Sequence, residues 1–153
     1  MIKNVKWIFV VLIISSLISF SFVGKDTPTE GLTIGDKAPT FTICGEKQLI
    51  DLKDLRGKYV LLSFWASYDA PSRVQNATLN HAIEQADNVE MVSVSFDEYP
   101  SIFKETIRKD QIVTPTCFVE TKGESSGLFK KYRLSRGFTN YLLDDNGVII
   151  AKN

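Results

Sequence analysis

Residues 60–73, VLLSFWASYDAPSR, constrain the fold more than any other stretch of the chain. An apolar run of Val, Leu, Phe and Trp broken only by Ser63 reads as a buried strand. Asp69-Ala70-Pro71-Ser72 then supplies an N-cap residue, a proline suited to a first helical turn and a polar start. A buried strand delivered directly onto a helix N-terminus requires a sheet whose strands are joined through helices, which is an α/β architecture.

The rest of the chain supports that architecture. Residues 41–44 and 49–52 form a hairpin signal around Gly45, with a tight connection over 54–58. A strand is expected over 59–66, and a helix over 70–86, with Val74, Ala77, Leu79, Ala82, Ile83 and Ala86 near helical spacing. Period-two alternation predicts a strand over 89–96, and Pro100 opens a helix over 100–109. A short strand at 116–119 and a third helix over 124–134 follow. Strands at 139–143 and 148–151 flank Asp144-Asp145-Asn146-Gly147, where Asn-Gly suits a hairpin turn because both residues tolerate positive φ. The expected fold is a three-layer α/β sandwich with a mixed sheet, an N-terminal β-hairpin and an antiparallel C-terminal hairpin.

Lys3 and Lys6 precede an uncharged, mostly aliphatic run over residues 7–23, the pattern of a secretory signal or an N-terminal membrane anchor. Residues 1–24 are therefore assigned to export, 25–34 to a polar linker and 35–153 to one domain that lies outside the cytoplasm, periplasmic or anchored facing it. Any membrane contact runs through the N-terminal segment. The formal charge of the chain is zero and no basic stripe exists to hold nucleic acid. Lys130, Lys131 and Arg133 read as a solvated helix face. Asn76-Ala77-Thr78 matches a glycosylation sequon by chance, inside a helix.

The order of elements and the local wording resemble extracytoplasmic thiol-disulfide oxidoreductases of the TlpA and ResA type, in the thioredoxin-like redoxin superfamily that includes peroxiredoxins. The resemblance covers about residues 35–151 and rests on APTF at 38–41, LKDLRGKYVLL at 52–62, FWAS at 64–67, VSVS at 92–95 and LLDDNG at 142–147. Relatives carry Trp-Cys-x-Pro-Cys-Arg where this chain has Tyr68-Asp69-Ala70-Pro71-Ser72-Arg73. Pro71 and Arg73 are kept, but both redox cysteines are replaced, by Asp69 and Ser72. The family's cis-proline position falls at Phe138, where a cis bond would cost about 2.5–4 kcal/mol, so a trans peptide is expected. The family's final helix has no counterpart before Asn153, leaving Ile149, Ile150 and Ala151 to be covered by the segment before Gly35, a second copy or a partner.

A thioredoxin nucleophile is a thiolate stabilised at a helix N-terminus. Asp69 can keep the charge and the cap there but cannot exchange disulfides. Ser72 has no activating histidine, since His81, the sole histidine, lies nine residues along the same helix, about 13 Å by helical rise. One His and two scattered Cys do not approach zinc spacing, and no cofactor is expected. In the topology that the resemblance implies, Cys44 and Cys117 become neighbours across a sheet edge. A structural disulfide, two buried free thiols and a redox-active pair all remain open for them.

Two functional readings follow. In the first, the domain has lost redox catalysis and binds a protein or peptide partner in a groove between Tyr68, Asp69, Ala70, Pro71, Ser72 and Arg73 on one side and Arg136, Gly137, Phe138 and Thr139 on the other. In the second, it is a cell-envelope thiol-disulfide oxidoreductase or antioxidant protein using Cys44 and Cys117.

Overall fold

A computed structural model describes residues 27–45, 48–84, 86 and 88–153; the export segment expected over 1–24 lies outside them. Strands β1 (Thr42–Cys44) and β2 (Leu49–Asp51) form an antiparallel hairpin. Then come β3 (Tyr59–Trp65), α1 (Ala70–Ile83), β4 (Val89–Ser95), α2 (Pro100–Lys109), β5 (Cys117–Val119), α3 (Gly127–Lys131), β6 (Asn140–Leu143) and β7 (Ile149–Lys152). The main sheet has the order β5-β4-β3-β6-β7. β3, β4 and β5 run parallel, while β6 pairs antiparallel with β3 and β7 antiparallel with β6, so β3 lies at the centre of the sheet.

Strand alternation sends the two faces of the sheet to different partners. Val60, Leu62, Phe64, Val94, Phe96 and Phe118 join Phe129 and Tyr132 from α3 and its flank in the main apolar core. Phe64 lies 4.7 Å from the Tyr132 ring, whose phenol donates to the Pro39 carbonyl at 2.6 Å. The opposite face carries Ser63, Trp65, Ser93 and Ser95, all fully buried.

That second face explains where α1 departs from expectation. Its buried residues are Ser72, Asn76 and Asn80, spaced every four positions, while Val74 is 64% exposed. The sheet offers hydroxyl partners there: Trp65 Nε1 donates to Ser93 Oγ at 2.8 Å, and Ser93 Oγ donates to the Asn76 side-chain Oδ1 at 2.7 Å. Asn80 donates to Thr114 Oγ1. Hydrogen bonding makes the polar stripe the interior one, which an apolar periodicity cannot reveal. The burial of Asn76 also closes the sequon to any glycan.

Three further boundaries move. α1 stops at Ile83 instead of 86. The helix expected over 124–134 is broken into a 3₁₀ turn at Gly123–Ser125, α3, and a 3₁₀ turn at Leu134–Arg136. Ser126 adopts an extended conformation and caps α3 through Phe129 N–H, and Arg133 takes φ +54°, so neither residue can sit inside a continuous helix. In the closing hairpin only Gly147, at φ +74°, takes positive φ. Asn146 does not, because the Asp144 carboxylate closes the turn by accepting from the Asn146 and Val148 amides.

The segment assigned as a linker is tied down from Thr29 onward. Lys37 N–H donates to the Thr29 carbonyl, Gly35 N–H to the Ile149 carbonyl, and Ile149 N–H to the Asp36 carbonyl. These bonds lay residues 29–38 beside β7; Ile149 is fully buried and Ile150 is 42% exposed.

Candidate functional site

β3 ends at Trp65, a buried Ala66 follows, and the chain turns through Asp69 N–H to the Ala66 carbonyl at 3.2 Å. Asp69 is extended, at φ −99° and ψ 93°, and its carboxylate accepts the Ser72 N–H at 3.0 Å. Ser72 is buried, and its hydroxyl donates back to the Asp69 carbonyl at 3.0 Å while accepting from Ala66 N–H at 3.4 Å. Asp69 and Ser72 are thus both capping groups engaged with the backbone. Ala70 and Pro71 are exposed on the first turn. Arg73 makes a bidentate pair with Asp110 at 2.7 and 2.6 Å, which ties the start of α1 to the end of α2 and raises the guanidinium's affinity for its proton.

A cleft of about 890 Å³ opens where β3, β4 and β5 end. Loop crevices at the carboxyl ends of parallel strands are where α/β sheets place ligands. Tyr68, Phe96, Tyr99 and Ile102 supply its apolar surface, and Asp97, Glu98, Glu124, Lys122 and Arg73 its charges. Asp97 is 3% exposed and fixed: Ser67 N–H and Oγ–H donate to one carboxylate oxygen at 3.0 and 2.5 Å, and Ser95 Oγ–H to the other at 2.6 Å. Gly123 has φ +50°, in the left-handed region that favours glycine, while a Cβ there would make only ordinary contact, at 3.5 Å, with the Glu98 side chain. Partial burial, and then the charges of Glu124, Asp97, Asp69 and Glu98, push the Tyr68 phenol above its ordinary pKa.

Of the expected groove, Tyr68 and Arg73 line this cleft. Gly137 takes φ +124°, and all peptides among the described residues, including the one before Phe138, are trans. Phe138 stacks on Phe96 with ring centroids 6.0 Å apart and meets Phe129 edge-on at 6.2 Å. It therefore buttresses the cleft floor from behind, while Arg136 is exposed and Thr139 is half-buried. Sequence reasoning missed Asp97, Glu98, Tyr99 and the turn at residues 122–125. The available signal was Asp97-Glu98-Tyr99 standing directly after a buried parallel strand.

Cys44 and Cys117 are both free thiols, so the disulfide left open above is not formed. They line a second cleft of about 520 Å³. Cys44 is exposed, against the reading of two buried thiols; Cys117 Sγ contacts Ser93 Oγ at 3.4 Å, and burial pushes its thiol up to about 11. That is the opposite of the shift that activates a nucleophilic thiolate. His81 is on the surface, 3.5 Å from Glu84. Among the described residues no group of three His, Cys, Asp or Glu is placed to hold a metal ion, and no helix is long and apolar enough to cross a membrane.

Comparison with known proteins agrees with this geometry. The thiol-disulfide oxidoreductase ResA of Bacillus cereus is 26% identical over 149 residues, covering 95% of this chain and 84% of the relative. The thioredoxin-like protein YneN of Bacillus subtilis is 31% identical over 125 residues, covering 78% and 70%. A crystal structure of a thioredoxin-like protein from Parabacteroides distasonis superposes with a TM-score of 0.72 at 42% identity, covering 83% of this chain and 91% of that one. The AhpC/TSA family model matches residues 34–152, and the chain is a member of the AhpC/TSA family with a thioredoxin-like fold.

Proposed function

We propose that this chain is an extracytoplasmic thioredoxin-like domain that has given up disulfide exchange and serves as a binding or scaffold module for a protein or peptide. The supporting observation is the corner of β3 and α1. Asp69 and Ser72 occupy the two sulfur positions and spend their polar atoms on the backbone. Disulfide exchange requires a thiolate that attacks and a second thiol that resolves the mixed disulfide. Carboxylate and hydroxyl groups accomplish neither step. The cleft beside the corner is open, preformed and lined by exposed aromatic side chains, which suits recognition. Extracytoplasmic placement is supported by the charged and apolar pattern of residues 1–24 and by the likeness to ResA-type relatives.

The oxidoreductase reading through Cys44 and Cys117 is favoured by their sharing one cleft and opposed by the raised Cys117 thiol. An insulin-disulfide reduction assay beside a Cys-containing protein of the same fold separates the two. The binding reading expects no turnover above the uncatalysed rate. Turnover that disappears in both Cys44→Ser and Cys117→Ser would establish the enzyme instead.

A further inference from the structure

We infer that the cleft at the ends of β3, β4 and β5 takes an extended polypeptide segment carrying arginine or lysine, whose cationic head group lies among Glu98, Glu124 and the tyrosines Tyr68 and Tyr99. The inference rests on the binding-module reading and names its ligand class. Three independent observations meet at this place.

The first is the surface. Tyr68, Tyr99 and Ile102 are 66%, 62% and 47% exposed, and all three border one cleft. Apolar side chains left in water around a concavity mark a contact site more than scattered ones do. The second is size. At about 890 Å³ the cleft stands near the upper end of ligand pockets, about 300–1,000 Å³, so it has room for a stretch of chain beyond a single head group.

The third is charge. Asp97, Glu98 and Glu124 line the cleft, and Asp69 stands close enough to bias the Tyr68 phenol. Two cations also line it: Lys122, and Arg73, which is held by both Asp110 oxygens. The balance is negative, and Tyr68 and Tyr99 border the same cleft. An aromatic face attracts a guanidinium or ammonium electrostatically, most strongly where the cation is partly desolvated. Asp97 is locked by Ser67 and Ser95, so its negative charge is fixed in the wall and needs no rearrangement on binding.

The test uses fluorescence polarisation with a fluorescein-labelled octapeptide of alternating arginine and alanine, and a matched peptide with glutamate for arginine. The arginine peptide should bind saturably and at least about tenfold tighter than the glutamate peptide, and added salt should weaken it by screening. Tyr68→Ala and Glu124→Gln, both at exposed positions, should each weaken binding at least about fivefold, whereas Tyr59→Ala at the far end of β3 should not. Failure of the arginine peptide to saturate, or unchanged affinity in both cleft variants, would overturn the inference. Preferential binding of the glutamate peptide with the same variant sensitivity would overturn the ligand class while leaving a binding module in place. Failure of that parent reading is scored separately, by turnover of insulin disulfides.

Discussion

Asp69 accepts the Ser72 amide at 3.0 Å, and the loss of that cap is measurable. Asp69→Ala should lower stability by about 0.5–2 kcal/mol in chemical denaturation, whereas Asp69→Asn, which caps equally well, should be nearly neutral. Equal stability of all three proteins would remove the capping role. The two thiols also differ in a testable way. Cys44, exposed, should react readily with iodoacetamide in the native protein, and Cys117, partly exposed and with its thiol pushed up, should react more slowly until the chain unfolds. Burial raises the folded Cys117 thiol from 9.0 to about 11, so the unfolded chain loses its proton first. Its contribution to stability is fully present below pH 9.0 and is lost as pH rises toward about 11. Cys117→Ala should flatten that part of a stability-against-pH curve; an unchanged slope would assign it to other groups.

Among the elements, the interface between α1 and the sheet was the least legible in the sequence. The residues that bind it are Asn76, Asn80 and Ser93, and an apolar stripe search sends these side chains to solvent. Ser93, the partner of Asn76, lies on β4 17 positions away, and Thr114, the partner of Asn80, lies in the loop before β5, so only the folded register shows that a hydroxyl faces an amide. Ser93→Ala should destabilise by about 1–3 kcal/mol, because it leaves Trp65 Nε1 and the Asn76 side-chain Oδ1 buried without Ser93. In a Trp65→Phe background the cost of Ser93→Ala should shrink, since one of the two orphaned groups is gone; strict additivity in such a double-mutant cycle would contradict the network. The third helix failed differently. Phe129 and Tyr132 enter the core, but Ser126 before them and Arg133 after them interrupt the helical backbone.

For the whole molecule, strand order and the strand-to-helix corner were readable because they depend on local pattern and on short-range connection rules: β3, β4 and β5 follow from helices joining parallel strands, and β6 with β7 from a hairpin turn. The cleft was not readable in the same way. Its walls come from the loops after three strands, around Tyr68, Tyr99 and Glu124, which are far apart in sequence and meet only when the sheet is assembled. The proposed loss of disulfide exchange rests on Asp69 and Ser72 standing at the turn where the reaction would need sulfur. Insulin-disulfide reduction by the native protein and by the Asp69→Cys/Ser72→Cys double variant tests it most directly. The native protein should run at the uncatalysed rate and the double variant should turn over. Turnover by the native protein, lost on replacing Cys44 or Cys117, would contradict the account.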